Sequence, residues 1–373
     1  MGTLGGIPFD VGDVLAKKYR LERLVGQGGT GVVVAARHLQ LDRLVAIKFL
    51  RTALASDEIR LRFEREARAI AQIESEHVVL VLDVGTLDDG ESPYMVMEYL
   101  DGRDLAKVLH DDGPLSIEDA VDCVVQVCEA LHGAHAQGII HRDLKPANLF
   151  LTRRSDGGLH VKVVDFGISK ILDPKVLRGD RGPSEVTSTF SVLGSPRYMS
   201  PEQLRNAKDV DGRADLWSLG AVLFQLLSGA PAFDGEDKIS VSQAVLSKEP
   251  APLCALAPHV PGDLEQVVMR CLQKDRAARF QTAAALAAAL RPFGSVYSRE
   301  SLERLAQALD ARESETRAPE TRAPDTRAAD ARTRPAAWRP VPLQRSRSGA
   351  TKIVVAAALV VVLVMLAAVA ALR

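Results

Sequence analysis

The spacing of hydrophobic positions changes along the chain and predicts a different kind of element in each part. Between residues 19 and 50, β-branched residues lie on both sides of a glycine cluster, a pattern typical of strands. Residues 114–137 instead carry Val, Leu and Ala at helical spacing. The stretch “PYMVMEYLDGRDL” between them predicts a strand that ends in a glycine-containing turn. The pattern therefore predicts a small β-rich part, a hinge and a larger helical part.

One helix is predicted within the β-rich part, in “DEIRLRFEREARAIAQI”. Its inward stripe holds four apolar residues and one carboxylate, all within about 80° of one another at roughly 100° per residue. The stripe is formed by Ile59, Phe63, Glu66, Ile70 and Ile73. A carboxylate on an apolar face needs a cation. Lys48 lies in the apolar strand “LVAIKFL”, so we expect it to pair with Glu66; a lysine on an edge strand that faces water is the alternative.

The last part of the chain follows other patterns. Three leucines in “SLERLAQAL” share one helical face and predict a helix within 292–313 that packs on the main domain, with a dimer contact as the alternative. Residues 314–352 repeat T-R-A-P-like units without large aliphatic side chains, which predicts a disordered juxtamembrane linker or, alternatively, a docking site. Residues 353–372 are apolar on all faces and, at about 30 Å, long enough for a transmembrane helix.

Charge and cysteine content narrow the function classes. The formal net charge is −1, so the total does not indicate a nucleic-acid partner. The basic residues before the apolar run, Arg345, Arg347 and Lys352, favour a cytoplasmic N-terminal part by the positive-inside rule. No cysteine forms a CxxC pair or lies at zinc spacing from histidines, which favours reduced core residues. The cysteines are Cys123, Cys128, Cys254 and Cys271.

Gly26, Gly28 and Gly31 form a G-x-G-x-x-G loop between two predicted strands. Glycines allow backbone N–H groups to approach phosphate oxygens closely. A dinucleotide-binding loop of this kind is followed by a helix, whereas Val32, Val33 and Val34 continue this one as a strand. The sequence therefore predicts a hairpin that covers phosphates, not a Rossmann turn.

The stretch “HRDLKPANLF” places an acid, a lysine and an amide in one short loop, as Asp143, Lys145 and Asn148. A second predicted strand, “VKVVDFGISK”, ends in Asp165, for which a simple turn is the alternative. Asn148 and Asp165 offer the oxygen ligands that Mg²⁺ prefers. Asp143 can accept a proton from a hydroxyl, and Lys145 can neutralise a phosphoryl group in transfer. These are the parts that phosphoryl transfer needs, because it depends on positioning and charge stabilisation.

Taken together, these motifs resemble the eukaryotic-type (Hanks-type) protein kinases. G-x-G-x-x-G-x-V, V-A-I-K, H-R-D-L-K-P-x-N and D-F-G follow one another in that family's order over about residues 19–291. With a basic stretch and one apolar run behind the domain, the chain looks like the bacterial transmembrane serine/threonine kinases. The resemblance implies an α+β, bilobal protein-kinase fold over 19–291, preceded by an N-terminal extension at 1–18. Lys145 is the serine/threonine form of its loop.

The resemblance also implies an ATP site between the lobes, with Mg²⁺ as the metal and Mn²⁺ as its substitute. Lys48, held by Glu66, would bind phosphates, Asp143 and Lys145 would act in catalysis, and Asn148 and Asp165 would bind the metal. Met97 would be the gatekeeper beside the adenine-contacting hinge. The implied ATP-binding residues are Gly26, Gln27, Gly28, Gly29, Thr30, Gly31, Val33, Ala46, Lys48, Met97, Glu98 and Leu100.

Other implied positions support the site. Glu202 would form a buried bridge with Arg279, and Asp215 would bond the backbone of the catalytic loop. Ser195 stands where the family usually has threonine, and its hydroxyl would still bond Asp143 and Lys145. “GSPRYMSPE” would be the substrate-binding end of the activation segment.

Residues 168–194 form a long stretch rich in Gly, Pro, Ser and Thr, and a loop of this length is commonly a lid or a switch. Arg142 is a cation that a phosphate on this loop could neutralise. Thr187 and Thr189 match the spacing at which related bacterial kinases autophosphorylate. A loop that is merely flexible and always competent is the alternative.

The expected function is phosphorylation of serine and threonine hydroxyls on protein substrates by a kinase tethered to the cell membrane through one span. A pseudokinase scaffold is the alternative, but it would lack one of Lys48, Asp143, Asn148 and Asp165, and all four are present. A receptor for outside signals is disfavoured because no segment that could fold follows the apolar run. A homodimer is an expectation from the family alone.

Overall fold

The computed structural model describes most of the predicted domain. The described residues are 9–28, 31–50, 57–87, 93–154, 157–166, 196–206, 209–296, 298–299 and 301–305, without the side chains of 57–60, 62 and 66. Several predicted features lie outside the described residues, namely Gly29, Thr30, Thr187, Thr189, Ser195, the linker at 314–352 and the apolar run at 353–372. The side chain of Glu66 also lies outside what the structure describes.

The N-terminal lobe is an antiparallel sheet of six strands in the order β1-β2-β3-β4-β6-β5. Its strands are β1 Val14–Leu15, β2 Tyr19–Gln27, β3 Gly31–His38, β4 Arg43–Leu50, β5 Val81–Thr86 and β6 Pro93–Glu98. Strand β1 falls within the predicted extension at 1–18, so the sheet starts before residue 19.

Strand β4 shows why this sheet places a lysine inside the protein. Its side chains alternate between two faces, as the strand period requires. Val45, Ile47 and Phe49 pack into one apolar cluster on one face, and Ala46 and Leu50 pack into the main core on the other. Lys48 shares the face of Ala46 and Leu50 and is only 8% exposed. The alternation therefore directs Lys48 inward.

Helix α1, Asp57–Ala71, covers the inner face of the sheet. Phe63, Ile70 and the following Ile73 are all buried, as their predicted stripe requires, and Ala67 is buried beside them. Glu66 lies in the helix between these residues.

The larger lobe is mostly helical. Its helices are α2 Leu105–Asp112, α3 Ile117–Ala136, α4 Pro201–Arg205, α5 Arg213–Ser228, α6 Lys238–Ser247, α7 Leu253–Leu256, α8 Gly262–Cys271 and α9 Ala283–Leu290. Helices α3 and α5 are apolar on nearly all sides and form the centre of the lobe, as such helices do. Three of the four cysteines are buried here with free thiols, and Cys254 is partly exposed.

A sheet of three short strands lies on α3 and supports the predicted reactive loop. Its strands are β7 Arg103–Asp104, β8 Leu149–Arg153 and β9 Leu159–Val163. The side-chain amide of Gln126 fixes α3 to this sheet, because it donates to Leu159 O at 3.0 Å and accepts from Val161 N at 2.8 Å. The strand predicted to run to Asp165 ends at Val163. One further backbone bond, from Val164 N to Asn148 O at 2.9 Å, attaches the segment after β9 to the reactive loop.

The described residues between 295 and 305 lie along α3, with Ser295 beside Asp122 and Arg304 beside Glu129. Ser295 N donates to Asp122 Oδ1 at 2.9 Å, and Leu305, in the helical residues that follow, is 3% exposed. Part of the helix predicted at 292–313 thus packs against the body of the protein. No helix among the described residues combines the length and the apolar character that crossing a membrane requires.

Candidate active site

The loop 141–148 is held in place by one buried carboxylate. Asp215, at the start of α5, is 0% exposed and accepts hydrogen bonds from His141 N and Arg142 N, both at 2.8 Å. His135 Nε2 lies 2.7 Å from the same carboxylate. Arg142 has a φ of 64°, a left-handed conformation that non-glycine residues adopt only where their surroundings enforce it. Asp215 supplies that enforcement.

The charge of Asp215 follows from its surroundings. Burial alone raises the pKa of this carboxyl, but the hydrogen bond and charge of His135, the charge of His141 and the bond from Arg142 N outweigh burial and lower it below the usual range. Asp215 is therefore an anion at neutral pH, able to accept from both backbone donors.

We expect Asp215→Asn to weaken the loop. An amide has one acceptor oxygen, so one of the donors now bound by Asp215 would face an NH₂ group, at a cost of about 1–3 kcal/mol per unsatisfied donor. Thermal unfolding should show a lower Tm, and any phosphotransfer activity should fall with it. Asp211→Asn, at a half-exposed carboxylate before the same helix, is the control and should change both quantities less.

Three predicted residues meet within the loop. Lys145 Nζ donates to Asp143 Oδ2 at 2.9 Å. Asn148 Nδ2 donates to Asp143 O at 2.8 Å and approaches Asp143 Oδ2 at 3.3 Å. The proline between the last two starts a short 3₁₀ helix, Pro146–Asn148, which turns the amide back toward the acid. The carboxylate is thus oriented by a cation and an amide.

A second pair joins the two lobes. Lys48 Nζ, from β4, donates to Asp165 Oδ1 at 2.8 Å. Burial by itself raises the pKa of Asp165, but the nearby Lys48 ammonium outweighs it and lowers the pKa below the ordinary value. Asp165 has a φ of 55°, a second left-handed residue beside the loop. The predicted partner of Lys48, Glu66, cannot be compared because its side chain is outside the described part.

The structure also adds His141 to the candidate site, a residue that the sequence analysis did not predict. Its ring is fully buried and bridges the two segments, because Nε2 donates to Val164 O at 3.2 Å and Nδ1 accepts from Asp143 N at 3.2 Å. Burial lowers the pKa of His141, so the ring is neutral at pH 7 and fits this donor and acceptor pattern. An isolated histidine after the apolar “GII” was the sequence signal for it.

The predicted adenine-contacting segment follows β6. Met97 is 7% exposed and opposite Ala46 in the sheet. Glu98 N donates to Leu80 O at 3.0 Å. The carboxylate of Glu98 accepts from Lys162 Nζ at 2.6 Å, a link to β9 that sequence spacing does not show. These contacts fix the backbone between the lobes, while Leu100 packs on the main core from its partly buried position.

The glycines of the first hairpin differ in the space around them. A Cβ on Gly31 would lie 2.2 Å from Phe49 O, a backbone atom of the neighbouring strand. A Cβ on Gly26 or Gly28 would meet no atom of the described chain within 4 Å. Packing therefore requires glycine at Gly31, whereas open space adjoins Gly26 and Gly28, which fits a loop that covers a ligand.

Gly31→Ala should therefore lower the stability of the N-terminal lobe by about 1–3 kcal/mol, the usual range for overpacking. Gly26→Ala is the matched control, with a Tm close to that of the wild type. If Gly26 covers phosphates, Gly26→Ala should raise the KM for ATP although it leaves the Tm unchanged. Differential scanning calorimetry beside ATP titration separates the two effects.

A buried ion pair lies beneath the loop. Arg279 is 0% exposed, and its guanidinium donates to both oxygens of Glu202, at 2.7 and 2.9 Å. Directly after Glu202, Gln203 Nε2 donates to Arg142 O at 2.9 Å. Ser200 caps this helix, α4, and forms a capping box with Gln203. Glu202 and Arg279 thus hold the helix that supports the loop.

The pKa of Glu202 gives this pair a pH dependence. Burial raises the pKa, but the bonds and charge of Arg279 outweigh it, so the pKa is lowered from its usual value. A carboxyl with a lowered folded-state pKa stabilises the protein above its unfolded pKa and loses that contribution as the pH falls through the folded value. The free energy of unfolding of the wild type should therefore exceed that of Glu202→Gln most above about pH 5. Denaturant titrations should show this difference narrowing in acid.

The residues present fit a nucleotide with a divalent metal. Asn148 donates its amide nitrogen to Asp143 O, and this orientation offers Oδ1 as an oxygen ligand. Asp165 adds an ionised carboxylate, and Lys48 beside it adds a buried cation. Oxygen ligands of this kind suit Mg²⁺, which commonly binds one or two carboxylates together with phosphates. Open space beside the hairpin glycines and the apolar pair Ala46 and Met97, opposite each other on two inner strands, complete the cleft.

A family model described as protein kinase domain matches residues 19–290. PknB of Mycobacterium tuberculosis is 40% identical over 279 residues, which are 74% of this chain and 43% of the relative. The kinase pkn3 of Myxococcus xanthus is 40% identical over 284 residues, 75% of this chain and 51% of the relative. Both are named serine/threonine-protein kinases, as is a probable one from Corynebacterium efficiens. The chain thus spans about two fifths to one half of the length of these relatives.

Solved structures agree with the fold. The crystal structure of the Mycobacterium tuberculosis PknI kinase domain has a TM-score of 0.58 to this chain at 29% sequence identity. The match covers 76% of this chain and 99% of the solved domain. The predicted small and large lobes are thus those of a complete solved domain.

Proposed function

The chain belongs to the protein kinase family, and from this membership we propose that it is a serine/threonine protein kinase that uses ATP and Mg²⁺. The observation that carries the proposal is the geometry around Asp143, whose carboxylate is oriented by Lys145 at 2.9 Å and Asn148 at 3.3 Å. The Lys48–Asp165 pair, which links β4 to the segment after β9, supports it independently.

In this proposal each residue has one task. ATP with its divalent metal supplies an activated γ-phosphoryl group. Lys48 holds phosphate oxygens, and Asn148 and Asp165 hold the metal. Asp143 orients the substrate hydroxyl and accepts its proton, while Lys145 stabilises negative charge on the phosphoryl group in transfer. The residues therefore position and stabilise, and none of them forms a covalent bond to the phosphoryl group.

Serine and threonine are the proposed acceptors because Lys145 stands two residues after Asp143, the form that this loop has in serine/threonine kinases. The names of the relatives agree with this choice. The test is Mg²⁺-dependent ADP formation by the purified full chain with a generic basic protein as acceptor. Mn²⁺ should replace Mg²⁺, and Lys48→Met should lose most of the activity. Equal ADP formation by the wild type and Lys48→Met would contradict the assignment.

We further propose that the loop 168–194 regulates the kinase through autophosphorylation of Thr187 or Thr189. Arg142 supports the idea, because its backbone is fixed by Asp215 and Gln203 in the loop that carries Asp143. Mass spectrometry of the full chain after incubation with ATP should find phosphate on one of these threonines. The Thr187→Ala, Thr189→Ala double variant should then show reduced activity, whereas Thr152→Ala, in β8, should not.

The apolar run at 353–372 is proposed as a membrane anchor that keeps the kinase domain on the cytoplasmic side. Support comes from its length, from the absence of charge within it and from the basic residues before it. Fractionation of cells should place the full chain with the membranes, and deletion of 353–372 should release it. The same distribution for both forms would refute the anchor.

A further inference from the structure

A second group of ionisable side chains lies behind the active site, where the loop after α1 meets α3 and β9. It contains Glu76, His77 and Glu129, whose ligand-type atoms all lie within 4.8 Å of one another. The loop is firmly attached at this point, since Val163 N donates to His77 O at 2.8 Å and Val79 N donates to Val163 O at 3.0 Å. These three residues have no task in the proposed phosphoryl transfer.

The ring of His77 has a defined tautomer. Its side chain is 0% exposed, and Nδ1 lies 2.9 Å from Val161 O. A carbonyl oxygen only accepts, so Nδ1 must carry the hydrogen. In the neutral ring the remaining nitrogen, Nε2, presents a lone pair.

That lone pair points at carboxylate oxygens. His77 Nε2 lies 3.6 Å from Glu129 Oε2 and 3.8 Å from Glu76 Oε1. Within the described part of the chain, neither His77 Nε2 nor Glu129 Oε2 has a hydrogen-bond partner, and both atoms are buried. Acceptors that face one another in the interior repel, and burying them is costly unless a positive centre lies between them.

We propose that Glu76, His77 and Glu129 bind a divalent transition-metal ion of the zinc class, with His77 Nε2 as the nitrogen ligand and the two carboxylates as oxygen ligands. Zinc lies about 2.0–2.2 Å from such ligands, which places neighbouring ligand atoms of a tetrahedral site roughly 3.3–3.6 Å apart. The two separations from His77 Nε2, 3.6 and 3.8 Å, need a small contraction. The carboxylate oxygens of Glu76 and Glu129, which lie within 4.8 Å of each other, must also approach when the ion binds. Water would complete the coordination.

The surroundings of the group resemble the outer shell of a metal site. A histidine that binds a metal usually donates its other ring N–H to a carbonyl or a carboxylate, as His77 does to Val161 O. Arg304 Nε donates to Glu129 Oε1 at 2.8 Å and leaves Oε2 directed at His77. The outer contacts thus fix both the ring and the carboxylate in the orientation that a shared ion requires.

Two arginines beside Glu76 limit the affinity of this group for a metal ion. Arg304 Nη2 lies 2.8 Å and Arg154 Nη2 lies 3.3 Å from Glu76 Oε1, so two guanidinium groups already balance the two carboxylates. A divalent ion must compete with them for Glu76. Arg304→Gln should therefore tighten metal binding, because it removes a positive charge and can still donate a hydrogen bond.

The experiment uses the full chain with Asp165→Asn, which removes a carboxylate from the catalytic metal site, and with excess Mg²⁺. Co²⁺ is the spectroscopic probe, and Zn²⁺ affinity is measured by competition with a chromophoric chelator. His77→Gln and Glu129→Gln remove ligands. His160→Gln is the matched control, because its ring lies 4.8 Å from that of His77 but is not one of the three ligands.

We expect one Co²⁺ per chain, with visible bands and without the charge-transfer absorption of a thiolate ligand. His77→Gln and Glu129→Gln should each weaken Zn²⁺ binding by more than the roughly 10–100-fold that loss of an outer-shell partner costs. His160→Gln should retain binding. If His77→Gln does not fold, Glu76→Gln, at a half-exposed side chain, provides the second ligand test.

Two results would overturn the proposal. One is metal binding of equal strength in the wild type and in Glu129→Gln, which would place the ion elsewhere. The other is no Co²⁺ or Zn²⁺ binding above that of the triple variant of Glu76, His77 and Glu129. In that case a proton between the acceptors, or a bridging water that donates its O–H groups to them, accounts for their approach.

Discussion

Replacing Asp143 with asparagine is expected to lower kcat by about 10²–10⁴-fold, the contribution typical of a positioned general base. Asparagine has nearly the same shape and can still accept from Lys145 through its oxygen, so the loop should keep its fold. It cannot take up the proton of the substrate hydroxyl. The loss should therefore appear in kcat, while the affinity for ATP stays within a few-fold of the wild type.

Asp111→Asn is the matched control, because this aspartate lies in the same lobe but is an exposed partner of Arg103 at 3.6 Å. Steady-state kinetics and ATP titration of the three proteins separate catalysis from binding. A kcat of Asp143→Asn within a factor of two of the wild type would show that Asp143 is not the general base. The loop would then contain no identified acceptor for the proton of the substrate hydroxyl.

Arg279→Ala is expected to have the largest effect on stability, a loss of about 3–5 kcal/mol, as for other broken buried ion pairs. The substitution leaves Glu202 ionised beneath the loop without its bidentate partner. It also removes the donors that Arg279 gives to the backbone oxygens of Gln273, at 2.7 Å, and Arg213, at 3.1 Å. The guanidinium further lies over the ring of Trp217, at 4.9 Å.

Chemical denaturation of Arg279→Ala beside Arg276→Ala measures this effect. Arg276 pairs with Asp211 at the surface, with side chains 42% exposed on both partners, so its loss should change the free energy of unfolding little. A double variant, Glu202→Gln with Arg279→Met, should recover part of the loss, since it leaves no unpaired buried charge. Equal destabilisation by the Arg276 and Arg279 substitutions would show that the pair is not buried in solution.

The spacing of residues along the chain predicted those features of the structure that depend on residues close together in the sequence. The alternation in β4 directs Lys48 inward, and the burial of Phe63 and Ile70 follows the stripe predicted for α1. The proximity of the side chains of Asp143, Lys145 and Asn148 could also be predicted, because the three residues are close together in the sequence. Each of these features depends on residues only a few positions apart.

Contacts between distant segments could not be read from spacing. His135 meets Asp215 because α3 and α5 pack together, and Lys162 meets Glu98 because β9 lies beside the end of β6. The group of Glu76, His77 and Glu129 likewise joins a loop to the middle of a helix. Such contacts arise from tertiary packing, and a single sequence carries no periodic signal for them.

Transfer of the γ-phosphoryl group from labelled ATP to a protein hydroxyl is the most direct test of the central claim. The full chain is incubated with Mg²⁺, labelled ATP and a generic basic protein, and the phosphorylated amino acids are then identified after hydrolysis. The proposed mechanism predicts label on serine or threonine that is lost in Asp143→Asn. Absence of label on the acceptor and on the chain itself, with ATP still bound, would contradict the mechanism and favour a nucleotide-binding scaffold.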